Sequence, residues 1–555
     1  MSGINLKPFQ TEAQPNVFSN TIDLEEESSQ PQQSRLTTDL STSTKTKNSG
    51  TTMASSNTTY QSIPINPPVS TDKPESKFTR YIKTFSLPPI IFDSFMSMVT
   101  SLLVWLSVYT IVGADNLPGG IVFVIVFLEF GGRITGYFAS LCHLPPMVGM
   151  LGLGIVIRNV PYIDFGKYLP STVASPIRQL SLAVILTRAG LGLDLDVLLK
   201  FKWLVARLAF FPTVVEASVV GILVHFIIGF PWLWSLIVGF SIAAVSPAVI
   251  VPRILILKEQ GYGVEKGIPT IILAAASLDN IVAIALFGVC IGFTFSTKSL
   301  ALTILQGPLE ILLGCCTGLM WGAFTGIVFP SSVESGQKNW DNTVFKLLMV
   351  LGGSVASVLG YNKLGYSGAG VLSCLISSFT TACFWKKRGA VSDFETIRWM
   401  FTFLWKFFEP LLFGVIGCQI VVETLDKNVV VLGIGCLVVG SVVRFGTTFI
   451  MVTKSGLSLK ERIFFSIAWT PKATVQAAIG PMALDLAQKS GNIDDENLGL
   501  QVLTLAVLVI LLTAPLGELA VIMAGPRLLS KPLQVMQEDI IVGRMSNQDQ
   551  QNVCN

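Results

Sequence analysis

The sequence predicts an all-α polytopic membrane protein in two inverted repeats, and three observations carry that prediction. Hydrophobic residues make up 51% of the 555 and charged residues 13%, with a mean hydropathy of +0.63, a composition suited to lipid rather than to a large soluble core. About 14 apolar segments follow one another between residues 91 and 525, most of them long enough to cross about 30 Å of hydrocarbon at 1.5 Å per residue. The sixth and thirteenth of these segments carry matching proline-centred interruptions.

Residues 1–78 precede the first segment. They are rich in Ser, Thr, Asn, Gln and Pro, with an acidic run at Glu25 to Glu27, and read as a disordered tail. The stretch lacks the apolar core of a signal peptide, and its acids and late first arginine, Arg35, argue against a transit peptide. A glycosylation sequon begins at Asn57, but the tail is expected in the cytosol, where it would stay unmodified.

The segments run at 95–113, 120–141, 146–157, 172–192, 203–229, 232–252, 268–292, 300–329, 345–360, 366–383, 397–421, 429–453, 462–484 and 500–523. The third is short and follows Pro145 and Pro146, and the eighth is long. An even number places both termini on one side. With that side cytosolic, its loops hold about 16 Lys and Arg, including Lys200, Lys202, Lys386, Lys387, Arg388, Lys454, Lys460 and Arg462, against about 7 opposite, as the positive-inside rule requires. The acidic loop "SGNIDDENLG" falls on the far side, in agreement. Residues 79–530 thus form the membrane domain and 531–555 a cytosolic C-terminal tail.

Segment 6 reads "AAVSPAVIVP", with Ser246 and Pro247 at its middle. Segment 13 reads "IAWTPKATVQAAIGP", with Thr470 and Pro471 at its middle. Either dipeptide alone would pass for an ordinary kink. Seven segments apart, an odd number, their parents run in opposite directions, the arrangement of discontinuous helices crossing at the midplane of an inverted repeat.

The segment before each break holds a charge: Glu216 in "FPTVVEASVVG" and Arg444 in "GSVVRFGTTF". Related positions and opposite signs predict a buried salt bridge, since neither charge is tolerable alone in lipid; separate polar partners are the alternative. Asp279, near the middle of segment 7 in "AAASLDNIVAIALF", is a site candidate because a lone carboxylate binds a proton or a cation but not both comfortably. Asn280 lies about 100° round the helix and offers an uncharged oxygen. Lys472 follows the second break, where it would offset a half-helix end or a neighbouring acid. Glu129 and Arg133 are spaced to pair structurally, and Lys406 and Glu409 are close on segment 11. Arg188, Arg207 and His225 read as packing or anchoring residues. The nine cysteines show no CxxC spacing, and His143 and His225 are the only histidines, so no cofactor is implied. A net charge of +3 gives nucleic acid no footprint.

The strings "LPGGIVF" at 117, "IRNVPYI" at 157, "LTRAGLGLD" at 186, "VSPAVIVP" at 245, "GYGVEKGIPT" at 261, "EPLLFG" at 409 and "TPKATVQAAIGP" at 470, in that order, resemble the sodium/proton antiporters of the NhaA-like fold, and within them the animal sodium/hydrogen exchanger 9B subfamily. The resemblance runs from about 95 to 530. It implies a homodimer whose early helices make the dimer contact, a transporting core that includes 172–292 and 397–523, and Na+ or Li+ exchanged for H+ by alternating access around Asp279. The ion site would comprise Asp279, Asn280, Ser246 and Thr470, with Asp279 as the Na+ or Li+ carboxylate and Glu216 and Arg444 holding the core. One position departs from the family pattern: two consecutive aspartates are expected where Asp279 and Asn280 stand. That loss leaves two other functions open, a proton-coupled chloride carrier on the same fold and a transport-inactive regulatory relative. The plasma membrane is the expected location, with endosomal or mitochondrial membranes as alternatives, and lipid is the surrounding partner.

Overall fold

The computed structural model describes residues 89–113, 117–295, 300–328, 340–389 and 391–531. The expected tail at 1–78, the domain boundary at 79 and nearly all of the expected C-terminal tail lie outside the described residues. Those described belong to one compact unit within Thr84–Asn555, and they are all helix and connection.

Seventeen α-helices follow in order: α1 Pro89–Val112, α2 Ile121–Leu141, α3 Pro146–Asn159, α4 Ser171–Gly192, α5 Leu195–Lys200, α6 Lys202–Leu223, α7 Trp232–Ala243, α8 Pro247–Glu259, α9 Ile268–Phe295, α10 Leu300–Val328, α11 Trp340–Leu364, α12 Ser367–Lys387, α13 Val391–Gly417, α14 Lys427–Met451, α15 Leu459–Ala468, α16 Thr474–Ser490 and α17 Ile493–Leu528. Taking α7 with α8 and α15 with α16, and leaving out the short α5, these correspond one for one to the 14 apolar segments. Ten runs among the described residues are long and apolar enough to span a membrane. The other four segments fall short for visible reasons. In α1 the apolar stretch among the described side chains is 102–112, α3 has 14 residues, α4 carries Arg178, Gln179 and Arg188, and the thirteenth is cut in two.

Local chemistry sets the helix ends. Asp194 caps α5, Asp426 caps α14 and Asn492 caps α17, each accepting a backbone N–H of the first turn. Ser458 and Glu461 form a reciprocal capping box at α15, which satisfies two otherwise orphaned donors. Asp494, Asp495 and Glu496 stand in the first turn of α17, where the helix dipole favours negative charge.

The helices sort into two packing groups. One comprises α6 to α9 with α14 to α17; the other comprises α2, α3, α4 and α10 to α13. The expected transport core, 172–292 with 397–523, therefore spans both groups, because α4 packs on α11, α12 and α13, and α13 packs on α2, α3 and α4. In the second group α10 lies along α12 at unusually close range. Gly314, Gly318, Gly322 and Gly326 recur every fourth residue, and a Cβ on any of them would stand 2.5–2.9 Å from atoms of α12. Small residues at this spacing let helix backbones approach where lipid offers no hydrophobic drive for association.

Candidate functional site

The site forms where the two broken helices cross. Between α7 and α8 the chain is extended at Ala244 and Ser246, and Pro247 opens α8 at a position where its missing N–H costs nothing. Between α15 and α16 the helical path stops at Trp469 and resumes at Thr474. Ser246 N donates to Pro471 O at 2.8 Å, so the two breaks pair backbone to backbone. Ser246 Oγ accepts from Thr474 N at 3.4 Å and lies 3.2 Å from Thr474 Oγ1. The N-cap serine of one half-helix thus serves the first turn of the other.

Arg444 of α14 occupies the centre and is fully buried. Its Nε donates to Trp469 O at 2.6 Å, and Nη1 donates to Glu216 Oε2 at 2.8 Å and also to Ala243 O. Nη2 bonds both oxygens of Asp279 at 3.0 and 2.9 Å. A guanidinium has five N–H donors, and five bonds use them. Two of the acceptors, Ala243 O and Trp469 O, sit at the carboxyl ends of α7 and α15, where the half-helix dipoles are negative. One cation therefore contacts two acids and two helix ends.

Asp279 of α9 is fully buried. Oδ1 accepts from Thr213 Oγ1 of α6 as well as from Arg444, and Oδ2 accepts from Val245 N at 2.8 Å as well as from Arg444. Lys472, also fully buried, donates from Nζ to Glu216 Oε2 at 2.6 Å. The cluster thus holds two acids and two bases, formally neutral, in a region where an unpaired charge would be costly.

The structure brings together Glu216, Arg444, Asp279, Lys472 and Ser246 from the sequence reading. Thr470 does not join them: it lies just past the C-cap of α15, and its Oγ1 donates back to Ile467 O of the last turn at 2.8 Å. Thr474 and Thr213 hold the hydroxyls that meet Ser246 and Asp279, and both escaped the sequence reading. Thr213 sits one helical turn before Glu216, a spacing that puts both on one face, which was the available signal. Asn280 is buried and its Oδ1 has no hydrogen-bond partner. Among the described residues no group of three or more His, Cys, Asp or Glu is placed to hold a metal.

Other charges resolve into pairs. Arg133 Nε lies 2.7 Å from Glu129 Oε1 within α2. His225 Nδ1 is 2.6 Å from Phe230 O, and its ring stacks on Trp232. Arg253 of α8 reaches Glu518 of α17 at 2.6 Å, and Lys266 reaches Glu461 at 2.9 Å. Arg207 Nε donates to Trp203 O at 3.1 Å. A buried pair absent from the sequence reading joins Arg178 of α4 to Asp485 of α16, one partner from each packing group.

Crossed discontinuous helices in two inverted repeats, with balanced buried charges at the crossing, define a membrane transport protein that works at the midplane. Residues 130–519 match the family described as "Sodium/hydrogen exchanger, transmembrane". The chain is 40% identical over 469 residues to sodium/hydrogen exchanger 9B2 of Homo sapiens, covering 83% of this chain and 85% of the relative. It is 42% identical over 445 residues to the Mus musculus 9B2 protein, 79% of each, and 37% identical over 465 residues to Homo sapiens 9B1, 83% and 88%. The sodium proton antiporter MjNhaP1 of Methanocaldococcus jannaschii has a similar fold, with a TM-score of 0.57 at 17% identity over 74% of this chain and 98% of that one. The chain belongs to the sodium/hydrogen exchanger family: it is an integral, multi-pass ion transporter of the NhaA-like fold and not an enzyme.

Proposed function

We propose that this chain exchanges Na+ or Li+ for H+ one for one, by alternating access, with Asp279 as the carboxylate that both ions share. The observation that carries the reading is the bidentate contact of Arg444 with Asp279. It fills, with Thr213 and Val245 N, the acceptor positions of that carboxylate, the positions that a proton or a metal ion would compete for. A proton or a cation displaces Arg444 from Asp279, and Glu216 retains it in the core. Desolvation disfavours a bare Asp279 anion, so the carboxylate is covered by the arginine, by H+ or by the metal ion. Each loaded crossing then moves the same net charge, and exchange is electroneutral.

Asn280 and Ser246 contribute uncharged oxygens in this scheme, and Thr474 takes the part first given to Thr470. Lys472 neutralises Glu216. A chloride carrier draws less support, because Arg444 has no N–H left for an anion. The functional unit is a homodimer through the early helices, set in the plasma membrane with both termini cytosolic; the mobile core is α6 to α9 with α14 to α17.

The test is internal pH in proteoliposomes with Na+, Li+, K+ and Cl- varied one at a time, for the parent chain and Asp279→Asn. Cation-driven proton flux that the substitution abolishes supports the reading. Chloride-dependent flux, or no flux from the correctly folded parent, would replace it with the anion carrier or the regulatory relative.

A further inference from the structure

Arg178 of α4 and Asp485 of α16 meet across the boundary between the two packing groups, and each is fastened to its own side by other contacts. On α4, Thr187 Oγ1 lies 2.7 Å from Ser354 Oγ of α11, and a Cβ on Gly190 would stand 2.6 Å from Leu375 O of α12. On α16, the Gln476 amide donates to Ala244 O, at the end of α7, at 2.7 Å. A Cβ on Gly499 of α17 would stand 2.7 Å from Leu484 Cα. Both sides are thus separately rigid, and any travel of one group past the other is felt at the pair.

The bonding of the pair is incomplete. Arg178 Nη2 donates to Asp485 Oδ2, while Arg178 Nη1 and Asp485 Oδ1 are buried with no partner. An arginine and a carboxylate gain most from two parallel bonds, and a permanent strut draws no benefit from two orphaned polar atoms. A contact that opens in each cycle recovers their desolvation when water reaches both groups. Coulomb attraction favours the closed state and hydration the open one, which brings the two close in free energy.

α16 runs outward from the crossing, and Asp485 lies about 16 Å beyond Thr474 at 1.5 Å per residue. The acidic turn at Asp494 to Glu496 follows shortly after. We infer that Arg178 and Asp485 form the extracytosolic gate of the exchanger: paired, they hold the core against α4 on that side, and parted, they let water into the seam between α4 and α16. Neither touches the carried ion, so both are positioning residues for alternating access. This rests on the reading of α6 to α9 with α14 to α17 as the mobile core and of both termini as cytosolic.

Ser181 supplies a reporter. It is fully buried and lies about one turn beyond Arg178 on the same face of α4, on the side towards the crossing. The experiment places Ser181→Cys in the full chain in proteoliposomes of known orientation. It measures labelling by a membrane-impermeant maleimide, above that of the same chain with Ser181, and apparent KM for Na+ presented from each side. Asp485→Asn is expected to speed labelling from the extracytosolic side about tenfold, the worth of one charge-assisted contact. It should lower the KM on that side and raise it on the other, as a shift of population requires. Arg178→Asp with Asp485→Arg re-forms the contact and should return all three toward the parent values. Unchanged labelling, or KM rising equally on both sides, would make the pair a structural strut and overturn the inference. Where Asp485→Asn fails to fold, Arg178→Cys with Asp485→Cys strands no charge and decides: a short bifunctional methanethiosulfonate should arrest transport and reductant release it, whereas undiminished transport by the cross-linked chain would overturn the gate. Faster labelling from the cytosolic side alone would overturn the orientation and the face assigned to the gate. Absent cation-driven flux in the parent would fall on the exchange reading, while labelling still decides the gate.

Discussion

Arg444 stands between Glu216 and Asp279, 2.8 Å from the first and 2.9 Å from the second, and so couples the sixth and ninth helices through the fourteenth. Removing it strands two buried acids beside Lys472. Arg444→Gln is expected to cost about 3–5 kcal/mol. Glu216→Gln with Arg444→Gln should recover part of the summed loss, only part because Asp279 also loses its partner. Additive losses in detergent thermal unfolding would show that the two charges do not interact.

Asp279→Asn removes a buried negative charge while preserving shape. It also leaves the buried cluster with one uncompensated positive charge, so thermal unfolding is expected at a lower temperature but still cooperative, beside absent proton flux. Asn280→Asp sets a second carboxylate beside Asp279. It should raise cation affinity, and an unchanged or higher KM for Na+ would contradict this.

The two threonines of the second break provide a direct contrast. Thr474→Val loses the hydroxyl facing Ser246 and should lower kcat/KM for Na+ about tenfold, the worth of one hydrogen bond. Thr470→Val, which loses only a bond within its own turn, should stay within about twofold. Equal effects would place both hydroxyls in the ion path.

Much of this arrangement was legible in the chain. Apolar length fixed the order of segments, and the rank of Ser246–Pro247 and Thr470–Pro471 pointed to the crossing. The opposite signs of Glu216 and Arg444 suggested their contact. Spacing reports rank and depth but not rotation about a helix axis, so nothing in the one-dimensional pattern said that Arg444 would bridge to Asp279 or that Lys472 would settle on Glu216. Thr474 was missed because the four residues after Trp469 are not helical, which breaks the face-sharing arithmetic that works for Thr213 and Glu216. The assignment of α4 and α13 depends on tertiary packing between apolar surfaces that look alike in sequence. Arg178 and Asp485 lie 307 residues apart, and only their shared burial links them.

That pair carries its own expectation. Arg178 and Asp485 have side chains 2% and 10% exposed, so Asp485→Asn leaves a buried guanidinium uncompensated and should destabilise by about 3–5 kcal/mol. Exchanging the two, Arg178→Asp with Asp485→Arg, should restore much of the loss. Equal thermal unfolding of Asp485→Asn and the parent would mean that water reaches the pair.

Orientation is open to labelling. A tag before residue 79 and another after residue 531 are expected to be accessible from the cytosol. A cysteine replacing Asn492, beside the acidic turn of α17, should react only from the opposite side. Reaction from the cytosolic side alone would reverse the orientation and the even number of spans together.

The seam of four glycines between α10 and α12 has a practical meaning for anyone following this molecule in motion. Backbones already touching at Gly314, Gly318, Gly322 and Gly326 leave no slack to compress, because close-packed interiors yield little to pressure. Fluorophores on the outward surfaces of those two helices should therefore hold one separation throughout a turnover cycle. They form a fixed ruler inside the protein, and the travel of the helix bearing Asp279 can be measured against it without reference to the bilayer.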